Sequence, residues 1–184
     1  MKQSQFFIRT QKEWPRDEES ANARLLHRGG FVEKISSGVY AFLPLGLRVL
    51  EKINRVIREE MNAIGASELL LPALVPKKYW DATGRWNVPI LYKSTDSSGQ
   101  EYGLGFTHEE VLSPILARRI QSFRDLPLSL YQIQTKFRDE PRARFGLIRG
   151  KEFVMKDLYS FHADAPDLER FYWIVAEAYK KIFA

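Results

Sequence analysis

The spacing of apolar positions changes several times along the chain, and each change marks an element. Residues 20–27, "SANARLLH", read as a short helix closed by Gly29 and Gly30. In "SSGVYAFLPLG", Gly and Pro punctuate an aromatic, β-prone core, which reads as a strand or hairpin. Over residues 46–64, Leu47, Leu50, Ile53, Ile57, Met61 and Ile64 recur at steps of three and four, so one apolar stripe runs along a helix. Gly65 is a natural stop for it. "ASELLLPALVP" follows as a short apolar strand broken by Pro72 and Pro76, and proline inside such a run points to a sheet edge or an interface.

Residues 77–106 are rich in turn formers, with two strands expected around Ser97, Ser98 and Gly99. Thr107 is expected to open a helix reaching about Phe123, with Pro114 as a kink or early break. Thr107 and Glu110 have the spacing of a capping box, which assigns Glu110 to the cap. Asp164 and Pro166 begin a last helix that carries Leu168, Phe171, Val175, Ala178 and Ile182 on one face. Strands and helices mix without a regular βαβ alternation. The fold class predicted is therefore α+β, with a mainly antiparallel sheet flanked by helices.

Composition narrows the function classes. The 184 residues are 45% hydrophobic, enough for one buried core and against a disordered chain. There is no cysteine, which excludes a disulfide framework and a Cys-based zinc site and suits a cytoplasmic location. Three scattered histidines, His108 and His162 among them, make a protein-bound metal improbable. The first twenty residues hold no apolar run of signal-peptide length, and no stretch approaches the roughly 18 residues of a membrane span. The net charge is +5, and residues 136–151 alone carry +4 of it. A patch so local points to a phosphate-bearing ligand more than to a basic coat for nucleic acid; a solvated loop is the bland alternative.

Residues 131–159 frame that patch with two strands. In the first, Tyr131, Ile133, Thr135 and Phe137 share a core face, while Gln132, Gln134, Lys136, Arg138 and Glu140 make a row of hydrogen-bonding groups. Such a row faces either solvent or a site. In the second, Phe153, Met155, Asp157 and Tyr159 share one parity, a mixture of ring, thioether and charge suited to a small-molecule site. The loop between supplies Arg142, Arg144 and Arg149, whose planar donors match phosphate oxygens.

"FRDE", a basic loop and "RGKEF" together resemble motif 2 of the class II aminoacyl-tRNA synthetases. "YAFLPLGLRVLEKINRVIREEMNAIGASELLLPAL" resembles motif 1, the dimer-forming helix and strand, here ending at Pro72. "GFTHEEV" and "LPLSLYQIQTKFRDEPRARFGLIRGKEFVMKDLYSFHAD" resemble the bacterial type of prolyl-tRNA synthetase over essentially the whole chain. The resemblance implies a class II catalytic core, the substrates proline, ATP and tRNA(Pro), Mg²⁺ accompanying ATP, and a homodimer without membrane attachment. It implies that Arg138 bridges the α-phosphate and the proline carboxylate, with Glu140 beside it holding ATP. It implies that Arg149 and Gly150 contact ATP and that Phe153 stacks on adenine, although Phe153 also suits a plain core position. Glu109 would pair with the proline ammonium and Thr107 would orient it, while Met155 and Tyr159 help line the pyrrolidine pocket. Arg142 and Arg144 would lie near tRNA or ATP.

The resemblance has a gap. Motif 3, a Gly-rich strand and a helix bearing the γ-phosphate arginine, is not found; "YGLGF" has two glycines but precedes motif 2. Residues 1–184 are therefore expected to form an incomplete catalytic domain without an editing insertion or an anticodon-binding domain. Two function classes stand: part of a proline-tRNA ligase, or a synthetase-like module that dimerises or binds nucleotide without catalysis. A basic nucleic-acid-binding domain is a distant third.

Overall fold

The structure is a computed structural model that describes residues 5–7, 9–13, 18 and 20–184. The N-terminal stretch considered above as a targeting segment falls partly outside these residues. Helix α1 (Ala21–Arg28) is capped by Ser20, whose hydroxyl accepts from the Ala23 amide at 3.3 Å. Strands β1 (Val32–Ser36) and β2 (Val39–Phe42) form the expected hairpin, turning at Gly38 with φ +78°. A Cβ there would lie 2.7 Å from the Ala143 Cβ, and the Gly38 carbonyl accepts from the Lys151 amide at 2.7 Å. Only glycine suits both the turn and this approach to the basic loop.

Helix α2 (Pro44–Ala63) carries the predicted stripe, but only its second half is covered. Met61 is buried against Tyr131 and Ala178, with Ile57 and Ile64 packed beside them. Leu47 and Ile53, by contrast, are about half exposed, as are Val49 and Val56. The reason is position: the C-terminal half of α2 meets the last helix, and the first half runs past it.

Strand β3 (Ser67–Glu68) is followed by β4 (Leu74–Pro76), α3 (Lys77–Ala82), β5 (Lys93–Thr95) and β6 (Glu101–Leu104). Next come α4 (Glu109–Arg119), β7 (Leu128–Phe137), β8 (Glu152–Phe161) and α5 (Ala165–Phe183). Besides the hairpin there are two three-stranded sheets, ordered β4-β6-β5 and β3-β7-β8. All pairings are antiparallel except β3 with β7. The α+β expectation holds. The proline-broken strand divides as its prolines suggest, β3 forming the edge of one sheet and β4 the edge of the other. Trp80, stacked on Phe106 at 5.1 Å, centres the core between α3, α4 and the β4-β6-β5 sheet. Among the described residues no helix is long and apolar enough to cross a membrane.

Helix α4 corrects two expectations. It ends at Arg119 rather than Phe123, with Pro114 inside it. Its N-cap is His108, which makes no side-chain capping bond, so the Thr107–Glu110 box does not form. Glu110 turns into the core instead. Its carboxylate accepts from the Arg85 guanidinium at 2.7 Å and faces the Thr83 hydroxyl at 3.4 Å. Arg85 also lies over the Phe106 ring at 4.7 Å. A charge-assisted bond in a buried setting outweighs an amide cap. Similarly, His162 is held by Asp167 at 2.6 Å, at the start of α5.

Arg85→Met should leave the buried Glu110 carboxylate without its cation and cost about 3 kcal/mol of stability in urea unfolding, the lower end for a broken buried pair because Arg85 is partly wet. Adding Glu110→Gln should return most of that loss. A loss below about 1 kcal/mol in the single variant would contradict the clamp.

Candidate active site on the β7–β8 face

The long ladder of β7 and β8 sets Lys136 opposite Phe153, Gln134 opposite Met155, Gln132 opposite Asp157 and Leu130 opposite Tyr159. Directly opposed residues share a face. The polar row and the mixed row are therefore one surface. It does not face solvent, since Gln132 and Lys136 are fully buried. Residues 71–72 and 105–108 lie across it. The Leu71 amide donates to Gln132 Oε1 at 3.1 Å, and Gln134 Nε2 donates to the Leu71 carbonyl.

At the centre, Lys136 has three protons and three acceptors: His108 Nδ1, Gln134 Oε1 at 3.3 Å and the Asp157 carboxylate at 3.1 Å. Asp157 also accepts from Gln132 Nε2 at 2.8 Å and from the Tyr159 hydroxyl at 2.6 Å. The Tyr159 oxygen in turn accepts from the His108 amide at 3.1 Å, and His108 Nε2 meets the Pro72 carbonyl at 3.0 Å. Burial pulls Lys136 below the usual ammonium value, opposed by Asp157. Burial, then the nearby ammonium, pulls His108 below the usual imidazole value. Burial, then the bond to Asp157, pushes the Tyr159 phenol well up.

The substrate candidates lie along the edges of this network. Thr107 donates its hydroxyl proton to Glu109, and Glu109 is exposed, with Arg85 at 3.8 Å. Thr107 also bears on the Tyr159 phenol. Arg138 continues β7 past its end, with its amide bonded to the Lys151 carbonyl at 2.8 Å. Its guanidinium lies 5.2 Å from the Phe153 ring centre and 3.5 Å from the Phe106 carbonyl. It has no ion pair among the described residues, and its buried Nε has no hydrogen-bond partner. Met155 is half-buried on the same face.

Glu140 and Arg149 are joined to each other at 2.9 Å. Arg149 first, and Arg138 more weakly, hold the Glu140 carboxyl below its usual range, and Glu140 raises Arg149. Gly150 lets the chain re-enter the sheet: a Cβ there would sit 3.0 Å from the Gly38 carbonyl. Arg142 and Arg144 are exposed on the loop. The face thus gathers Thr107, Glu109, Arg138, Phe153, Met155 and Tyr159, with Glu140, Arg149 and Gly150 where the loop closes. Sequence reasoning did not single out Lys136, Asp157 or Gln132, and His108 drew only a metal reading. Their shared strand parity was visible; that segments far away in sequence would bury them was not.

The model of the tRNA synthetase class II core domain (G, H, P, S and T) matches residues 92–184. The proline–tRNA ligase of Acidithiobacillus ferrooxidans is 52% identical over 185 residues, covering 100% of this chain and 32% of that protein. That of Nitrosomonas eutropha is 51% identical, with 100% and 33% covered. The chain therefore spans about a third of the length of the curated relatives it matches. Among solved structures, prolyl-tRNA synthetase from Cryptosporidium parvum, complexed with L-proline and AMP, superposes with TM-score 0.78 at 23% identity, covering 86% of this chain and 32% of that one. The Giardia lamblia enzyme in complex with prolyl-adenylate gives 0.77 at 23%, covering 84% and 33%. These structures share the fold over most of the chain, the family model spans the arginine-rich hairpin itself, and the chain accordingly belongs to the class II tRNA synthetase core domain family.

Proposed function

We propose that the β7–β8 face is the amino-acid activation site of a proline–tRNA ligase, acting in the cytoplasm with proline, ATP and tRNA(Pro) as substrates. The observation that carries this reading is Arg138. A guanidinium with a buried donor lacking an acceptor, set over an aromatic ring, calls for an anionic ligand with a flat ring beside it. The 52% identity to a proline–tRNA ligase supports proline as the amino acid.

In the reaction, a proline carboxylate oxygen bonds to the α-phosphorus of ATP. The bond from that phosphorus to the β-phosphate oxygen breaks, and pyrophosphate leaves with the electron pair. Arg138 spans carboxylate and α-phosphate, holds them in line and offsets the charge that gathers on phosphorus. Phe153 stacks on adenine. Arg149 turns from Glu140 to the phosphates, Glu140 then holds the ATP side, and Gly150 keeps the backbone close. Glu109 pairs with the proline ammonium and Thr107 helps orient it. Met155 and Tyr159 wall the pyrrolidine ring. Mg²⁺ enters with the nucleotide as part of the substrate. Arg142 and Arg144, exposed beside the site, suit the phosphates of the tRNA end.

A homodimer fits the same reading. Val49, Ile53 and Val56 leave an exposed apolar stripe on one face of α2. It borders an apolar hollow of about 370 Å³ that Phe42 and Val154 also line. A stripe of this kind seeks a partner surface. Light scattering at high micromolar concentration should return twice the mass of one chain; the mass of one chain would count against this interface.

In the full-length enzyme, Glu109→Gln should raise the proline KM about ten- to a hundredfold, the loss of one charged hydrogen bond, and leave the ATP KM within about twofold. ATP–pyrophosphate exchange measures both, and an unchanged dependence on proline would overturn the assignment. The 184 residues by themselves should bind ATP weakly without catalysing exchange, because the γ-phosphate arginine of motif 3 is not among them and alignment is lost. Proline-dependent exchange by the purified chain, abolished by Arg138→Ala, would contradict that.

A further inference from the structure

One of the fully buried polar groups of the β7–β8 face makes no hydrogen bond to the residues placed around proline above. Lys136 is fully buried, and each of its protons is committed to a protein acceptor. One of those acceptors is the residue between Thr107 and Glu109. We propose that Lys136 is a positioning residue of the proline site: its ammonium holds the His108 ring in one neutral tautomer, and this fixes the turn that presents Thr107 and Glu109. The inference rests on the reading of this face as a proline-activating site.

The tautomer follows from the partners. The Pro72 carbonyl at 3.0 Å can only accept, so Nε2 carries the proton. The Lys136 ammonium can only donate, so Nδ1 has none. A single neutral form satisfies both. Protonation at Nδ1 would aim an N–H at an ammonium, placing two donors and two positive charges face to face. The ring has little room to turn away, because the position of a Cβ on Gly105 lies 2.6 Å from His108 Cε1 and 2.7 Å from Nε2. The His108 amide is bound to Tyr159, whose hydroxyl donates to Asp157, which holds Lys136. The contacts close a circle, so displacement at one member moves the others.

The charged groups acting on the ring are Lys136 on β7, Asp157 on β8 and Glu109 on α4; Arg138, just beyond β7, acts on Lys136, Tyr159 on β8 binds the His108 amide, and residues 71–72 present only carbonyl and amide groups. Burial and then Lys136 lower the ring's proton affinity, while the Pro72 bond, Asp157 and Glu109 raise it, and the net shift is downward. The arrangement is therefore intact above the ordinary imidazole range and fails as the pH falls through the lower, folded-state value.

The test is the pH profile of ATP–pyrophosphate exchange by the full-length enzyme. On the acid side the proline KM should climb about tenfold per pH unit, as for loss of one protonation state, with the ATP KM nearly flat. His108→Gln keeps a donor toward Pro72 but cannot titrate, and it should remove that acid limb. Lys136→Met combined with Asp157→Asn removes both charges of the buried pair. It should raise the proline KM about ten- to a hundredfold at neutral pH and move the acid limb to higher pH. Should the double variant fail to fold, His108→Gln still decides: an acid limb that survives it with an unchanged midpoint overturns the proposal. Nitrogen NMR of the imidazole in this chain judges the contact independently of activity. An Nε2-protonated ring at neutral pH is expected, and an Nδ1-protonated or doubly protonated ring overturns the proposal. A wild-type enzyme whose exchange ignores proline would instead sink the functional reading and leave the NMR result to judge Lys136 alone.

Discussion

The buried pair of Lys136 and Asp157 is the constraint on which the rest of the β7–β8 face depends. Two charges cannot be withdrawn from water unless their remaining protons and lone pairs are matched, and a poorly matched pair costs several kcal/mol. Here the matching is complete at Lys136 and one-sided at Asp157, whose Oδ2 takes three protons while its Oδ1 has no hydrogen-bond partner among the described residues. Lys136 has its three acceptors, and Asp157 takes protons from Lys136, Gln132 and Tyr159. Each of these partners has a second bond that reaches another segment: Gln132 to Leu71, Tyr159 to the His108 amide, and His108 to Pro72. One ion pair thus ties the hairpin to the turn before α4 and to the chain after β3. A buried polar network of this kind specifies one arrangement more than it adds stability.

That arrangement explains why the candidate site residues are where they are. Arg138 and Phe153 stand at the end of the ladder, on strands fixed by ten opposed residue pairs. Thr107 and Glu109 stand on a turn that has no side-chain helix cap but is held from below by the network. Rigid neighbours supply alignment, and alignment is what a reaction between two bound substrates requires. The loop is different. Its Arg149 and Glu140 pair at 2.9 Å, and because the Arg149 side chain is about half exposed, solvent and salt make that pairing cheap to exchange.

Much of this could be read from the sequence, and the parts that could not share a cause. The α2 and α5 helices, the two hairpins and the long β7–β8 pair follow from local period and punctuation, and the arginine cluster announces phosphate chemistry. Glu110 was misassigned because capping-box spacing is a local signal, while Arg85 lies 25 residues away along the chain. Periodicity marked α2 as one apolar stripe but could not tell which half would be covered within the chain. Lys136 and Asp157 carried the right parity, yet their burial is decided by residues 71–72 and 105–108, whose placement no spacing rule encodes. Local physics was legible, and long-range coverage was not.

The central claim is that this one face receives both proline and the nucleotide. A structure of the full-length enzyme with a non-reactive sulfamoyl analogue of prolyl-adenylate tests it most directly. The account predicts the ammonium against Glu109 and Thr107, the sulfamoyl group against Arg138, and the adenine on Phe153, with Lys136 still bonded to His108 beneath them. An analogue bound away from the β7–β8 face, or bound there with its ammonium remote from Glu109, would contradict it.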